Sequence, residues 1–441
     1  MILKLVTTEL LVAWRLWSGA FVLAVFAALI ACVCAGDFST ARAMWGDQPE
    51  AAAGLINHAF IYMGFNVPVV IGALNILLTY VVDLQRPRYA LWQLAGVGPR
   101  TIRSVIFLQA LFLGLVAFAI ALILAAPTLN LFLNTLSAPL RTEADPIREV
   151  TLGVFEFSIA FLVFMAVVLL SALGAARKAR RTPILAAIRT PEVVNAPLST
   201  TRIVLAIVCA IIAIVSTVLL CFTPVGYFVL GQMMILVAFL FAAPWVSERV
   251  MRLWVALLPG RKASWYVARE SAKYNVTRSH AGISLMVIAC GLGMVTGVAG
   301  LWSEPRTAGL AIAVFGTPLV LVLYAGAATI IMTSGHRRRD TTLLTISGAT
   351  RTTALASAAF EALIFTLTAG IISLVVALPF VFTPAPAPNA TGEVKVATFL
   401  PLVPIPFVLA LGIVLMFVAI ARPVIQAGRN SPAAEMRRSG I

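Results

Sequence analysis

Ten stretches of this chain run for about 20 residues each with almost no charge: roughly 13–36, 57–82, 104–126, 152–175, 203–222, 227–246, 281–302, 309–333, 356–382 and 399–421. A helix needs about 20 apolar residues to cross the roughly 30 Å hydrocarbon core of a bilayer. It can do so because its backbone N–H and C=O groups bond within the segment. The stretches are rich in Leu, Ala, Val and Ile and do not alternate strictly, which argues for helices against a barrel. The chain is 61% hydrophobic and 11% charged, with a mean hydropathy of +1.01, and this excludes an ordinary soluble domain. The expected fold is therefore an all-α integral membrane protein of about ten transmembrane helices. The start of the chain, Met1 to Leu10, lacks a short apolar core followed by an A-x-A site, so no cleavable signal is expected.

An even number of spans puts both termini on one side, and charge says which. The loops 1–12, 83–103, 176–202, 247–280, 334–355 and 422–441, with Arg15 at the edge of the first span, hold 27 of the 32 lysines and arginines. The remaining five are Arg42, Arg141, Arg148, Arg306 and Lys395, while the 17 acids divide eight and nine. The basic side is read as cytoplasmic, with both termini inside. A net charge of +15 spread in this way meets anionic lipid and proteins and needs no nucleic acid. The basic amphipathic run Arg269 to His280, and more weakly Met1 to Leu16, are candidate helices in the inner interface.

Between the second and third spans lies Arg86 to Leu111. Its first half is basic and amphipathic, with Leu91, Leu94 and Ala95 on one helical face. Gly96, Gly98 and Pro99 then break the pattern before a new helix begins. The expectation is a short helix at the membrane surface, a tight corner, and a helix that re-enters the bilayer. Shifted by 252 residues, the stretch recurs as Arg338 to Leu363. Arg86, Leu91, Gly96, Thr101, Ala110 and Leu111 reappear as Arg338, Leu343, Gly348, Thr353, Ala362 and Leu363; Leu94 faces Ile346, and Gln109 faces Glu361. Both copies sit between two spans, so the repeat reads as a duplicated membrane unit. Spans two to four map onto spans eight to ten. The chain divides into a first half at 1–190, a linker with spans five and six at 191–262, and a second half at 263–441. The outer loops, about 20, 25, 4, 6 and 16 residues long, leave no room for a large extracellular domain.

These features resemble the FtsX-like permease family of ABC transporters. The residues that carry the resemblance are Leu91-x-x-Leu94-Ala95-Gly96 and Leu343-x-x-Ile346-Ser347-Gly348-Ala349-Thr350. To these are added Gln109-Ala110-Leu111, Glu361-Ala362-Leu363, and the basic tails around Pro183 and Pro432. The span order is similar to the ten-span, two-copy branch, of the macrolide-exporter, lipoprotein-release and bacitracin-resistance type. The resemblance implies a permease subunit in a bacterial cell membrane, bound to a homodimer of cytoplasmic ABC ATPases. ATP and Mg belong to that partner, and this chain contains no G-x-x-x-x-G-K-[ST] run. The resemblance also implies that Arg86, Leu91, Leu94 and Gly96, with Arg338, Leu343, Ile346 and Gly348, form the ATPase-coupling elements. The expected activity is export or extrusion of a hydrophobic or amphipathic substrate. The alternative is an ATPase-driven regulator that moves no cargo and controls an envelope enzyme or a sensor kinase.

Single residues add further expectations. Glu156 lies about one turn inside the outer end of span four, and His58 lies near the outer end of span two above Tyr62, Asn66 and Asn75. Glu156 and His58 are candidates for the substrate path, because carboxylates in lipid usually face protein or water. Gly293 and Gly297 form a G-x-x-x-G within span seven; no strand precedes it, so close helix packing is expected rather than dinucleotide binding. Cys32, Cys34, Cys209, Cys221 and Cys290 lie in or at the ends of apolar spans and read as small buried side chains. No catalytic constellation and no metal-ligand spacing can be assembled from these residues.

Overall fold

The computed structural model describes residues 2–45, 49–131, 153–180, 200–220, 226–258, 262–302, 316–329, 346–381 and 404–427, with 260, 332 and 344 singly. These residues form α1 Ile2–Val12, α2 Trp14–Trp45, α3 Pro49–Leu84, α4 Arg86–Leu94, α5 Pro99–Leu131 and α6 Val154–Arg180. They continue as α7 Thr200–Leu220, α8 Gly226–Ala256, α9 Ala263–Trp302, α10 Gly316–Thr329, α11 Arg351–Val381 and α12 Pro404–Ala427. The fold is all-α, and the described part of each stretch expected as a span is largely helical. Among the described residues five helices are long and apolar enough to cross a bilayer: Leu16–Met44, Leu55–Leu84, Pro99–Leu131, Val154–Arg177 and Arg351–Val376. Met234–Ala243 and Trp245–Ala256 form a pair bent by 78°. Ile203–Ser216, Gly282–Gly293, Gly316–Thr329 and Ile405–Val418 are shorter apolar helices among the described residues. The chain is thus a multi-pass membrane protein.

The outer segment 37–56, expected as a loop, is largely helix. α2 runs on to Trp45 and α3 begins at Pro49. The reason is local: Ala41, Ala43, Met44 and Ala51 to Ala53 are strong helix formers, and proline is favoured at a first helical position. Ala41, Ala52 and Leu55 pack into a small core between the two arms, with Ile56 against it. With 32 and 36 residues, α2 and α3 outrun the hydrocarbon thickness and project as a helical hairpin.

Two compact units make up the chain. The first comprises residues 1–192 with 303–325. In it α2 packs on α3, α5 and α6, α3 packs on α6, α5 packs on α6, and α1 lies against α5 and α2. The start of α10 joins this unit, with Tyr324 ringed against Phe26 at 6.3 Å. The second unit comprises 193–302 with 326–441. There α9 packs on α8, α11 and α12, and α11 packs on α8 and α12. In each unit the same pattern recurs: the helix that opens the repeat touches the two that close it. α7 packs on α8 and leaves Ile207, Ile211 and Ile214 exposed on a face suited to lipid.

Buried alanines such as Ala20, Ala24, Ala117 and Ala121 allow the helices to approach closely, as membrane bundles require. Hydroxyls inside the bundle bond back to the preceding turn: Ser171 to Val167 O, Ser247 to Ala243 O and Ser373 to Ala369 O, each at 2.6–2.7 Å. Asn75 Nδ2 donates to Ser171 O at 2.8 Å and ties α3 to α6. A Cβ at Gly174 would collide with that amide. Gly174→Ala should therefore lower the thermal midpoint, by roughly the 1–3 kcal/mol of an overpacked core. Asn75→Ala should relieve the collision, so that the double variant is no less stable than Asn75→Ala alone. Thermal unfolding of the four proteins in one detergent measures this.

Candidate coupling site

α4 is a nine-residue helix between α3 and α5. Tyr89 and Ala90 face inward, and the Tyr89 hydroxyl donates to Gln85 Oε1 at 2.5 Å. Burial pushes the Tyr89 phenol up from its usual range, with Glu9 adding to the shift and Arg88 opposing it, so it remains a neutral donor. Arg86 Nε pairs with Asp83 at 3.0 Å, and Arg88 Nη1 pairs with Glu9 of α1 at 3.2 Å. The opposite face is apolar and open: Leu91 is 60% and Leu94 61% exposed. With Pro87 and Ala95, also exposed, they follow the three- and four-residue spacing of one helical face.

The corner after α4 depends on Gly96. Its φ is +89°, and Gly348, 252 residues later, has φ +95°; among the described residues these are the only two with positive φ. At both, a Cβ would meet nothing within 4 Å, so the requirement for glycine is one of backbone conformation alone. Val97 N bonds to Trp92 O at 2.9 Å, and Ala349 N bonds to Leu344 O at 3.0 Å, the same long-range closure in both copies. The helix that follows starts at the same repeat position by different chemistry. α5 opens with Pro99 as its first residue, whereas Thr350 Oγ1 caps α11 by accepting from Thr353 N at 3.2 Å. Ile346, the counterpart of Leu94, is 52% exposed. Arg338 and Leu343 lie outside the described residues.

The two residues assigned to a substrate path sit in the first unit. Glu156 occupies the first turn of α6, where a carboxylate favours the helix dipole, and accepts from Arg42 of α2 at 3.2 Å. Its side chain is largely covered while Arg42 is open to solvent. His58 is buried, with Nδ1 2.7 Å from Asp37 Oδ2 on α2. Its ring stacks on Tyr62, and Tyr62 shares a hydrogen bond with Thr317 of α10. The two candidates therefore belong to separate interhelical pairs, each anchored on the C-terminal part of α2. Asp37 is the residue that sequence reasoning missed. Its placement at the edge of a loop hid it, and a histidine 21 residues further on was the available signal. Gly293 is buried on α9, with Gly297 on the same helix. Two residues before Gly293, Gly291 is the glycine against which Leu236 of α8 packs.

Residues 60–184 match the family described as FtsX-like permease C-terminal. That stretch is similar to an FtsX-like permease domain. The domain runs from α3 through α6 and so includes α4 and the Gly96 corner. FtsX-like permeases are membrane subunits of ABC systems and are not themselves catalytic, and they typically work with an ABC ATPase. The match supports an ABC transporter permease-type membrane protein. No curated protein matches it.

Two consequences of this geometry are measurable. Gly96→Ala and Gly348→Ala force a left-handed backbone on a residue with a Cβ, at about 1–2 kcal/mol each. Both should lower the unfolding midpoint, and Gly96→Asn should lower it less, since asparagine tolerates that region better. His58→Ala leaves buried Asp37 without its imidazole, which for a buried pair amounts to about 3–5 kcal/mol. Asp37→Asn with His58→Gln, which keeps a neutral hydrogen bond, should lose less than His58→Ala. Equilibrium unfolding in detergent ranks the variants.

Proposed function

We propose that this chain is the permease subunit of an ABC transporter that exports or extrudes a hydrophobic or amphipathic substrate. The ATP is hydrolysed by a partner, a cytoplasmic ABC ATPase homodimer that also holds the Mg. The observation that carries this reading is the repeated corner. Leu91 and Leu94 in one copy, and Ile346 in the other, project large apolar side chains beside a left-handed glycine. Apolar anchors of this kind gain energy only when a partner groove desolvates them. Arg86, held by Asp83, and Arg338 rim the contacts, and Leu343 is the second copy's equivalent of Leu91. The basic face, with both termini, is the cytoplasmic one, and the membrane is the bacterial cell membrane.

Force on α4 has three outlets in this arrangement. They are the Gly96 corner into α5, the Arg88–Glu9 pair into α1, and the Arg86–Asp83 pair at the end of α3. Closure of the ATPase dimer pushes both copies of the corner, and the repeat units shift against the lipid. Cargo enters sideways from the bilayer at the outer end, where Glu156 and the Asp37–His58 pair supply acidic and titratable groups suited to a cationic amphipath. His58 is sealed by Tyr62 and Asp37 here, so contact with cargo requires α2 and α3 to part.

Because one chain holds both corners, one permease should bind two ATPase subunits, which native mass measurement of the purified complex reads directly. Leu91→Asp with Leu343→Asp should leave insertion and folding intact. It should reduce ATPase association by at least the roughly 2 kcal/mol of a hot spot, about a thirtyfold weaker complex. Cargo-stimulated hydrolysis at the wild-type rate in that double variant would refute the coupling role. Hydrolysis without any change in cargo location in vesicles would favour the regulator that moves no cargo.

A further inference from the structure

We infer that the corner between α8 and α9 is a docking surface for anionic phospholipid headgroups, built on a helix segment that turns to lie along the membrane. α8 bends by 78° between Met234–Ala243 and Trp245–Ala256, and Pro244 sits at the bend. Proline removes a backbone N–H and crowds the preceding turn, which is a sufficient cause for a sharp kink. If the first segment crosses the bilayer, the second runs nearly parallel to its surface.

The second segment is divided by face. Ser247, Met251 and Val255 are buried at four-residue spacing, and Met251 and Val255 pack with Ala268 and Ala272 of α9 and with Ala354 and Ala358 of α11. The other face exposes Trp245, Arg249, Arg252, Leu253 and Leu257, with Leu253 70% and Leu257 79% exposed. Side chains this apolar on a surface this basic suit neither bulk water nor the hydrocarbon core. They suit the headgroup boundary, where leucines enter the acyl layer and arginines meet phosphate.

The charges are arranged accordingly. From Trp245 to Lys273 the sequence carries six basic residues and two acidic ones. Both acids are already engaged: Glu248 with Arg252 at 2.6 Å, and Glu270 with Arg269 and Lys273, each at 3.0 Å. The Lys273 hydrogen bond, with Arg269 assisting, holds the Glu270 carboxyl below its usual range, so it does not become a competing neutral donor. Arg249 lies over the Trp245 ring at 3.9 Å, and Lys262 is exposed at the turn; neither has an acidic partner among the described residues. Tyr266, exposed beside Lys262, adds a second aromatic side chain to the exposed Trp245. Aromatic side chains of this kind are enriched where a membrane meets water. This combination of cations, aromatic platforms and exposed leucines favours a lipid surface over a protein groove.

The test uses the purified full-length protein in nanodiscs of phosphatidylcholine alone, or with phosphatidylglycerol added. The wild type should retain phosphatidylglycerol in preference to phosphatidylcholine, read by native mass spectrometry, and its thermal midpoint should rise when phosphatidylglycerol is present. Each lysine or arginine near an anionic surface is worth roughly a fivefold preference. Arg249→Gln with Lys262→Gln should therefore cut the preference by roughly 25-fold and abolish the thermal rise, with the midpoint in phosphatidylcholine unchanged. If the double variant does not fold, Lys262→Gln alone, at an exposed position, should give about a fivefold loss. Raising the salt to about 1 M should weaken the wild-type preference, since screening shortens the reach of these charges. Equal retention of both lipids by the wild type, or a preference unchanged in the variants, would overturn the assignment. Loss of a co-purified protein with lipid retention unchanged would also overturn it, in favour of a protein partner.

Discussion

A polar group buried in a bilayer has no water to fall back on, and that constraint shapes this protein more than any single contact does. Hydroxyls of Ser171, Ser247 and Ser373 bond into their own helices. Groups that cannot do so reach across to a neighbour: Asn75 to the Ser171 carbonyl, Trp254 Nε1 to Thr368 Oγ1 at 2.9 Å, and His58 to Asp37. Each such bond fixes the rotation of one helix against another, which apolar side chains alone would leave loosely specified. Small residues bring the helices close enough for these bonds to form, and the fold follows from both requirements together.

The two copies of the repeat show what the duplication has to keep. Backbone geometry at Gly96 and Gly348 is the same, down to the hydrogen bond closing the corner. The chemistry around it has drifted. Proline opens one following helix and a threonine cap opens the other. Buried Gln109 in the first copy corresponds to buried Glu361 in the second, which accepts from Ser271 of α9 at 3.4 Å. Amide and carboxyl are close in shape, so the same packing holds either.

Hydropathy made the spans legible because a bilayer demands long apolar runs and leaves little room for exceptions. The surface helix α4 was legible for a related reason: Leu91 and Leu94 stand out against basic neighbours, and a glycine after them predicts a turn. Charged residues at span ends were harder. Asp37 looked like the start of a loop because a carboxylate is a poor membrane residue by itself, and its stability here comes from a histidine on another helix. Local sequence holds no record of that pairing. The 37–56 segment was misread although its alanines favour helix locally. Contacts among Ala41, Ala52 and Leu55 add to that preference once the two arms lie side by side.

The length of α3 has a mechanical consequence. It runs unbroken from Pro49 to Leu84, beside Gln85, where α4 hangs. A continuous helix of 36 residues is a lever roughly 54 Å long, and it crosses the whole bilayer with length to spare. In a rod of that length, a few degrees of tilt at the Leu84 end correspond to a displacement of several ångströms at the Pro49 end. Its compliance is concentrated at Pro68, inside the helix, where the ring denies the preceding turn one hydrogen bond. The Asp37–His58 contact, between Pro68 and the Pro49 end, ties α2 to that arm of α3, so the two move together.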